Sequence, residues 1–281
     1  MKSSSEAKLR RLQQILRDLK SCAIAYSGGV DSTFLIKVAY DILGANAIAV
    51  TATSSTYPHR ELEDAKHLAH SIGIPHLIIQ SEELAIDEFS DNLPTRCYFC
   101  KKELFQKIQQ IAQERHLNAV LDGSNADDVN DYRPGAAARD ELRVRSPLKE
   151  VGLTKQEIRE LSRVLHLKTS EKPPFACLAS RFPYGVKITK ERLKQVESAE
   201  EYLFSLGIKQ GRVRYHDSIA RIEVEQSDFQ TILTHAKQIV KRLKTLGFTY
   251  VTLDLEGYRT GSLNEVLKNE ETLTRLQGRK G

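Results

Sequence analysis

Apolar positions in the first half of the chain follow two alternating rhythms. Short continuous apolar runs at Cys22–Tyr26, Ala47–Ala52, His76–Ile79 and Ala119–Asp122 read as buried strands. Between them the spacing turns helical: at Thr33–Ala39, from Pro58 to about Ile72, and over about Cys100–Arg115. Leu62, Ala65, Leu68 and Ile72 share one face of the second of these helices. Ahead of the first strand, Leu9, Leu12, Leu16 and Leu19 mark an amphipathic helix. Helices interleaved with short apolar strands predict an α/β fold with a doubly wound parallel sheet. Such sheets bind ligands beyond the carboxyl ends of their strands. Three loops therefore matter most: Ser27–Ser32, Thr51–Thr56 and Gly123–Asn125.

Further along, Thr154-Lys155-Gln156-Glu157 has the form of a capping box and opens a helix to about Leu165. The stretch Ser170–Gly185 is rich in proline and aromatics and helix-poor. It separates a larger domain, residues 1–170, from a smaller α+β domain, residues 171–281. In the smaller domain a helix is expected from about Thr189 to Leu206, stopped by Gly207. Strands follow at Arg212–Tyr215 and Ala220–Val224. A second capping box, Ser227-Asp228-Phe229-Gln230, then opens a single helix to Gly247, and a strand at Tyr250–Leu255 closes the unit. No internal repeat is present, and Gln277–Gly281 reads as a frayed end.

The first of the three loops carries the strongest chemistry. Ser27-Gly28-Gly29-Val30-Asp31-Ser32 runs from a strand straight into a helix. Two adjacent glycines let the backbone approach a phosphate closely. The helix start offers unpaired N–H donors and the positive end of a dipole. Ser27 and Ser32 can donate hydroxyl hydrogen bonds, and Asp31 can hold a magnesium-bridged pyrophosphate. Gly123, opening the third loop, joins Ser27, Gly28, Gly29, Asp31 and Ser32 as a nucleotide-binding candidate. The Gly-Lys-Ser/Thr ending of a Walker loop is absent. The run instead resembles the PP-loop (SGGxDS) of the ATP pyrophosphatases, which split ATP into AMP and pyrophosphate and adenylylate a substrate.

Composition narrows this only slightly. The 281 residues are 40% hydrophobic and 28% charged, with a formal net charge of +5 from 42 Lys+Arg against 37 Asp+Glu. That excess suits anionic ligands such as nucleotides but is too small and dispersed to call for nucleic acid. No apolar run approaches membrane-spanning length and the first residues lack a signal-peptide core, which points to the cytoplasm.

Four cysteines in such a chain point to catalysis or metal binding more than to disulfides. Cys22 lies in the first buried strand and reads as a small core hydrophobe. Cys97 and Cys100 are spaced to share a metal or a disulfide near a helix start that would lower their pKa. No second such pair exists for a four-cysteine zinc ribbon, although a zinc site completed by His stays open. Cys177, on a proline-stiffened loop beside Ser180 and Arg181, is placed to be an activated thiolate or else a buried structural thiol. Arg212 and Arg214 alternate along a strand, so both face one side, where they can grip a phosphate or stay solvated. Asp127, Asp128 and Asp131 form an acidic set that is either metal-directed or an ordinary polar loop.

Taken together, SGGVDS at Ser27–Ser32, LDG at Leu121–Gly123, NDYRPG at Asn130–Gly135 and SRFPYG at Ser180–Gly185 resemble the LarE family of ATP-dependent sulfur transferases. So do RVRYH at Arg212–His216, the segment Ser218–Glu223, and YVTLDLEGYR at Tyr250–Arg259. The resemblance covers essentially the whole chain. It implies ATP-dependent adenylylation of a carboxylate of pyridinium-3,5-biscarboxylic acid mononucleotide and its conversion to a thiocarboxylate, in biosynthesis of the nickel-pincer nucleotide cofactor. Cys177 and Asp31 would be catalytic, Ser180, Arg181, Arg212 and Arg214 would take the substrate phosphate, and magnesium would accompany ATP. The family tends to assemble, which implies a homo-oligomer.

Members that sacrifice their own cysteine and end as dehydroalanine lack a pair at Cys97 and Cys100. The three-cysteine pattern therefore resembles cluster-bearing members. There Cys97, Cys100 and Cys177 would hold a 4Fe-4S cluster whose fourth iron carries sulfide from an external sulfur source. Sacrificial transfer from Cys177 is the alternative. A PP-loop tRNA thiolase would also join this loop to cysteines, but no RNA-binding module or basic stripe is visible. An amidotransferase-type synthetase would leave the cysteines unemployed, and so would a non-catalytic nucleotide module.

Overall fold

The computed structural model describes residues 2–130 and 134–268. In chain order the elements are α1 (Lys2–Leu19), β1 (Cys22–Ala25), α2 (Val30–Leu43), β2 (Ala47–Thr53), α3 (His59–Ile72), β3 (His76–Gln80), α4 (Asp87–Ser90) and α5 (Arg96–Glu114). Then come β4 (Ala119–Leu121), α6 (Gly135–Glu141), α7 (Pro147–Glu150), α8 (Lys155–Val164) and α9 (Lys190–Ser205). The last are β5 (Gly211–His216), β6 (Ile219–Val224), α10 (Phe229–Thr234), α11 (Ala236–Thr245) and β7 (Tyr250–Leu253). Two compact units emerge. One holds Met1–Glu83 and Cys97–Phe175, the other Leu84–Arg96 and Ala176–Gly281. The chain thus passes to the second unit after Phe175, and the short segment around α4 belongs with that unit.

In the first unit the sheet order is β3-β2-β1-β4, with every pairing parallel. The inner strands β1 and β2 are short apolar runs because both their faces are covered, as in a doubly wound sheet, while the edge strand β3 stays partly exposed. Leu12 and Leu16 of α1, Phe34 and Leu35 of α2, and Ile158 of α8 pack with Cys22 and Ile24 in one core. Phe105, Ile108 and Ala112 of α5 pack with Ala23, Ile48, Val50 and Val120 in the other. The α/β fold read from the sequence is the one observed.

The second unit carries a mixed sheet, β5-β6-β7, antiparallel at its first pairing and parallel at its second. Val213, Tyr215, Ala220 and Ile222 are buried, as are Leu193, Val196, Leu203, Ile239 and Leu243 of the helices. One expectation fails here. The span from Phe229 to Gly247 is two helices, α10 and α11, parted at His235, and Asp228 at its start makes no side-chain cap hydrogen bond. Thr234 turns its hydroxyl back to the Gln230 carbonyl, and a His235 ring nitrogen lies 2.9 Å from the Thr231 carbonyl. Side chains that compete for carbonyls of the preceding turn favour a break. The Thr154–Glu157 capping box forms as expected. Among the described residues no helix is long and apolar enough to cross a membrane.

Candidate functional site

The glycine loop joins the carboxyl end of β1 to α2. Gly28 has φ +65°, and a Cβ there would lie 3.0 Å from the Ala65 side chain of α3, so both backbone and packing demand glycine. Gly29 caps α2 with no side-chain hydrogen bond. At α8 and α9, by contrast, Thr154 and Thr189 accept from the backbone N–H groups of Glu157 and Arg192. The first turn of α2 is therefore left open to an anion, which its dipole favours. The Ser27 and Ser32 hydroxyls stand 3.2 Å apart, and Ser32 also accepts from the Ser27 N–H. Gly123 meets the same turn from the end of β4, where a Cβ would sit 3.0 Å from the Ser32 backbone nitrogen.

Asp31 occupies the first turn of α2. Its Oδ2 is 2.6 Å from the Lys155 ammonium at the start of α8, while its Oδ1 is buried and makes no hydrogen bond. Burial raises this carboxyl above the usual carboxylate range; Lys155 opposes the rise and Asp128 adds to it. A buried carboxylate oxygen without a hydrogen bond, beside an anion-ready helix start, is a fitting ligand for Mg2+. Lys155 is legible in the sequence only as the second residue of a capping box. Asp127 and Asp128 are already engaged, Asp127 accepting from the Lys155 N–H at 2.8 Å and Asp128 from the Asn125 N–H at 3.0 Å. Those two thus act as loop and helix caps. Asp131 lies outside the described residues.

Other polar groups fix the neighbouring loops. Tyr57 donates its hydroxyl to the Ser27 carbonyl at 2.9 Å, and its ring meets Phe175 edge-on. Glu83, 2% exposed, accepts hydroxyl hydrogen bonds from Ser54, Thr56 and Ser81 and so pins the turn after β2. An isolated Glu in a polar stretch gives no sequence signal for such a role.

No disulfide joins any of the four cysteines. Cys22 is fully buried, and burial pushes its thiol up to about 12. Alkylation of the folded protein near pH 8 is expected to leave Cys22 unmodified, which peptide mass mapping reads directly. Cys97 and Cys100 lie inside the first turns of α5, which begins at Arg96, four residues earlier than the spacing suggests. They belong to the first unit and Cys177 to the second. Among the described residues no three His, Cys, Asp or Glu side chains are arranged to hold a metal ion. The donor chemistry of Cys97, Cys100 and Cys177 suits an iron–sulfur cluster.

Cys177 caps a short 3-10 turn running from Leu178 to Arg181. Arg181 is buried and meets Glu200 of α9 through two contacts, at 2.8 and 3.0 Å. It also donates to the carbonyls of Ala176 and Cys177 and to the Ser180 hydroxyl. Burial disfavours its charge, but Glu200 and the nearby Cys177 sulfur hold the guanidinium above its usual value. The loop beyond is set by Asn92, whose amide donates to the Phe182 and Pro183 carbonyls. Asn92 adopts φ 59°, a conformation asparagine tolerates, and nothing in the sequence marked it.

Arg212 and Arg214 share one face of β5, as alternation requires, with Arg221 and Glu223 opposite them on β6. They are neither solvated nor equivalent. Arg214, 2% exposed, is paired with Glu223 at 2.9 Å and donates to the Ser180 carbonyl at 2.6 Å. Arg212 is 7% exposed and, among the described residues, has no carboxylate partner. It donates to the Tyr258 hydroxyl at 2.9 Å and lies over that ring. Burial, then the positive charges of Arg181 and Arg214, bring its pKa down to about 10, so it remains a cation at neutral pH. Burying a cation with no carboxylate in contact is costly, and an anion brought beside Arg212 would offset that cost.

The NAD synthase family model matches residues 9–116, the part that builds the glycine loop and the parallel sheet. An uncharacterized protein of Synechocystis is 47% identical over 264 residues, 93% of this chain and 98% of that one. A pyridinium-3,5-bisthiocarboxylic acid mononucleotide synthase of Lactiplantibacillus plantarum is 39% identical over 260 residues, covering 92% of this chain and 94% of the synthase. The chain belongs to the PP-loop ATP pyrophosphatases and, within them, to the family of that synthase. An uncharacterized protein of Methanocaldococcus jannaschii, 31% identical over 98% of its length, extends the family further. This LarE-family member is an ATP-dependent enzyme whose phosphate loop has the conformation described above.

Proposed function

We propose that the enzyme uses ATP to adenylylate a carboxylate of pyridinium-3,5-biscarboxylic acid mononucleotide and replaces its oxygen by sulfur, toward the nickel-pincer nucleotide. The observation that carries this reading is the 39% identity to the Lactiplantibacillus synthase across nearly the full length of both chains. The chemistry is consistent with the residues. A substrate carboxylate oxygen attacks the α-phosphorus of ATP; the bond to the β-phosphate oxygen breaks and pyrophosphate leaves. Gly28, Gly29 and Ser32 would surround the β- and γ-phosphates, with Ser27 and Gly123 shaping the same turn. Asp31 would hold Mg2+, whose charge assists departure of pyrophosphate. In the sacrificial form, the Cys177 sulfur attacks the acyl carbon and AMP leaves. Loss of the Cys177 α-proton with cleavage of its Cβ–S bond then yields thiocarboxylate and dehydroalanine. A second round on the other carboxylate would need a second sulfur.

Cys97, Cys100 and Cys177 would hold the alternative 4Fe-4S cluster, which would supply sulfide in place of the protein's own sulfur. Anaerobic reconstitution with iron and sulfide, turnover with ATP and the mononucleotide, and mass analysis of protein and product test the whole reading. Stoichiometric AMP, pyrophosphate and a product about 16 mass units heavier per exchanged oxygen, the sulfur–oxygen difference, support it. AMP formation with no change in the mononucleotide counts against it. A loss of hydrogen sulfide from Cys177 identifies the sacrificial route. An intact Cys177 with about four irons per chain identifies the cluster.

A further inference from the structure

After β7 the chain turns back over the arginine face of the small sheet. The Tyr258 N–H donates to the Val224 carbonyl at 2.9 Å, fixing the segment to the end of β6. Two hydroxyls stand on this strap, at Tyr258 and Ser262, and each accepts from one arginine. Tyr258 takes an N–H of Arg212 at 2.9 Å, and Ser262 takes an N–H of Arg214 at 2.8 Å. Asn264, just beyond, accepts the Tyr184 hydroxyl at 2.9 Å, tying the strap to the loop that follows Arg181. The two strap hydroxyls act here as acceptors. Each still has its own proton to give, polarised by the guanidinium behind it.

Charge on this face is uneven. Glu200 serves Arg181, and Glu223 serves both Arg214 and Arg221, with Asp254 near Arg221 as well. Of these four arginines Arg212 has no carboxylate among the described residues, and Tyr258 both stacks on it, at 4.6 Å from its ring centroid, and accepts from it. We propose that Tyr258 and Ser262 are phosphate donors: with Arg212 supplying the charge, the two strap hydroxyls hydrogen-bond the phosphate monoester of a mononucleotide substrate. This rests on the reading that Arg212 takes the substrate phosphate, and adds the residues that would make the site select a nucleotide over its nucleoside. A hydroxyl that already accepts from a guanidinium is a stronger donor than a free one and needs little reorientation to serve an anion.

The test uses the full chain and nicotinic acid mononucleotide as a pyridinium mononucleotide probe, with the corresponding riboside as its phosphate-free control, both by calorimetry. Tyr258→Phe keeps the ring over Arg212 and removes only the hydroxyl, and Ser262→Ala does the equivalent at the second site. Each is expected to weaken mononucleotide binding about tenfold, as loss of one hydrogen bond to a charged group does, while riboside affinity and the thermal midpoint stay unchanged. Ser262→Thr should restore binding. Equal loss for mononucleotide and riboside would make the strap merely structural and overturn the proposal. Wild-type binding by both variants, with Arg212→Ala impaired, would overturn the strap while leaving the arginine reading intact. Wild-type binding by Arg212→Ala would remove the reading on which it rests.

Discussion

Replacing Asp31 with Ala should reduce pyrophosphate release from ATP by at least about a hundredfold, the scale typical of removing one preorganised charge-stabilising group. The fold should survive. Asp31 sits in the first turn of α2, whose packing is carried by Phe34, Leu35, Ile36 and Val38, all buried. Its ion pair is with Lys155, whose side chain is 35% exposed, and a pair so placed contributes little to stability. Asp31→Asn sharpens the point. Burial raises this carboxyl in the folded state, so its contribution to stability is greatest below the unfolded pKa and is lost as pH rises through the raised folded value. At neutral pH the charged group is a burden, and the neutral amide relieves it. The melting midpoint of Asp31→Asn should therefore be no lower than wild type while pyrophosphate release is lost. Malachite-green assay with added pyrophosphatase, alongside differential scanning calorimetry, measures both. Near-normal release from either variant would mean that the metal-holding group lies elsewhere.

The first unit was legible because its signals are local. Short apolar runs marked the strands, 3.6-residue spacing marked the helices, and Ser27–Ser32 announces a phosphate loop by chemistry that adjacent residues must supply together. The second unit was legible in its strands and in α9, but less in its charges. Alternation put Arg212 and Arg214 on one face correctly; it could not say that Glu223, on the next strand, neutralises one and leaves the other. Lys155 and Asp31 are separated by 124 positions, and Glu83 collects hydroxyls from two different loops. Partners of this kind are set by tertiary approach, which periodicity does not encode. The break at His235 was missed for the opposite reason: the apolar positions continue in phase across it, and only side-chain hydrogen bonding to the preceding turn interrupts the helix.

Glu200 shows how much of the second unit hangs on one such long-range choice. It stands on the buried side of α9, beside Ala199, with Leu193, Val196 and Leu203 around it. Its carboxylate accepts from Arg181 and from the Val213 N–H of β5, at 2.9 Å for the latter. Glu200→Ala would leave a guanidinium 5% exposed without its counterion and a strand N–H without its acceptor. Breaking a buried pair from one side costs about 3–5 kcal/mol, far more than the pair is worth against an apolar replacement. Urea unfolding followed by circular dichroism should show a loss of unfolding free energy of that size. Glu200→Gln should lose less, since the amide oxygen can still serve Val213. Converting both partners, Arg181→Met with Glu200→Leu, should recover most of the loss, because no buried charge is then stranded. If the double variant is as unstable as Glu200→Ala, the shape of the site and not the stranded charge sets the cost. If it is stable yet fails to bind a pyridinium mononucleotide, Arg181 serves the ligand as well as the fold.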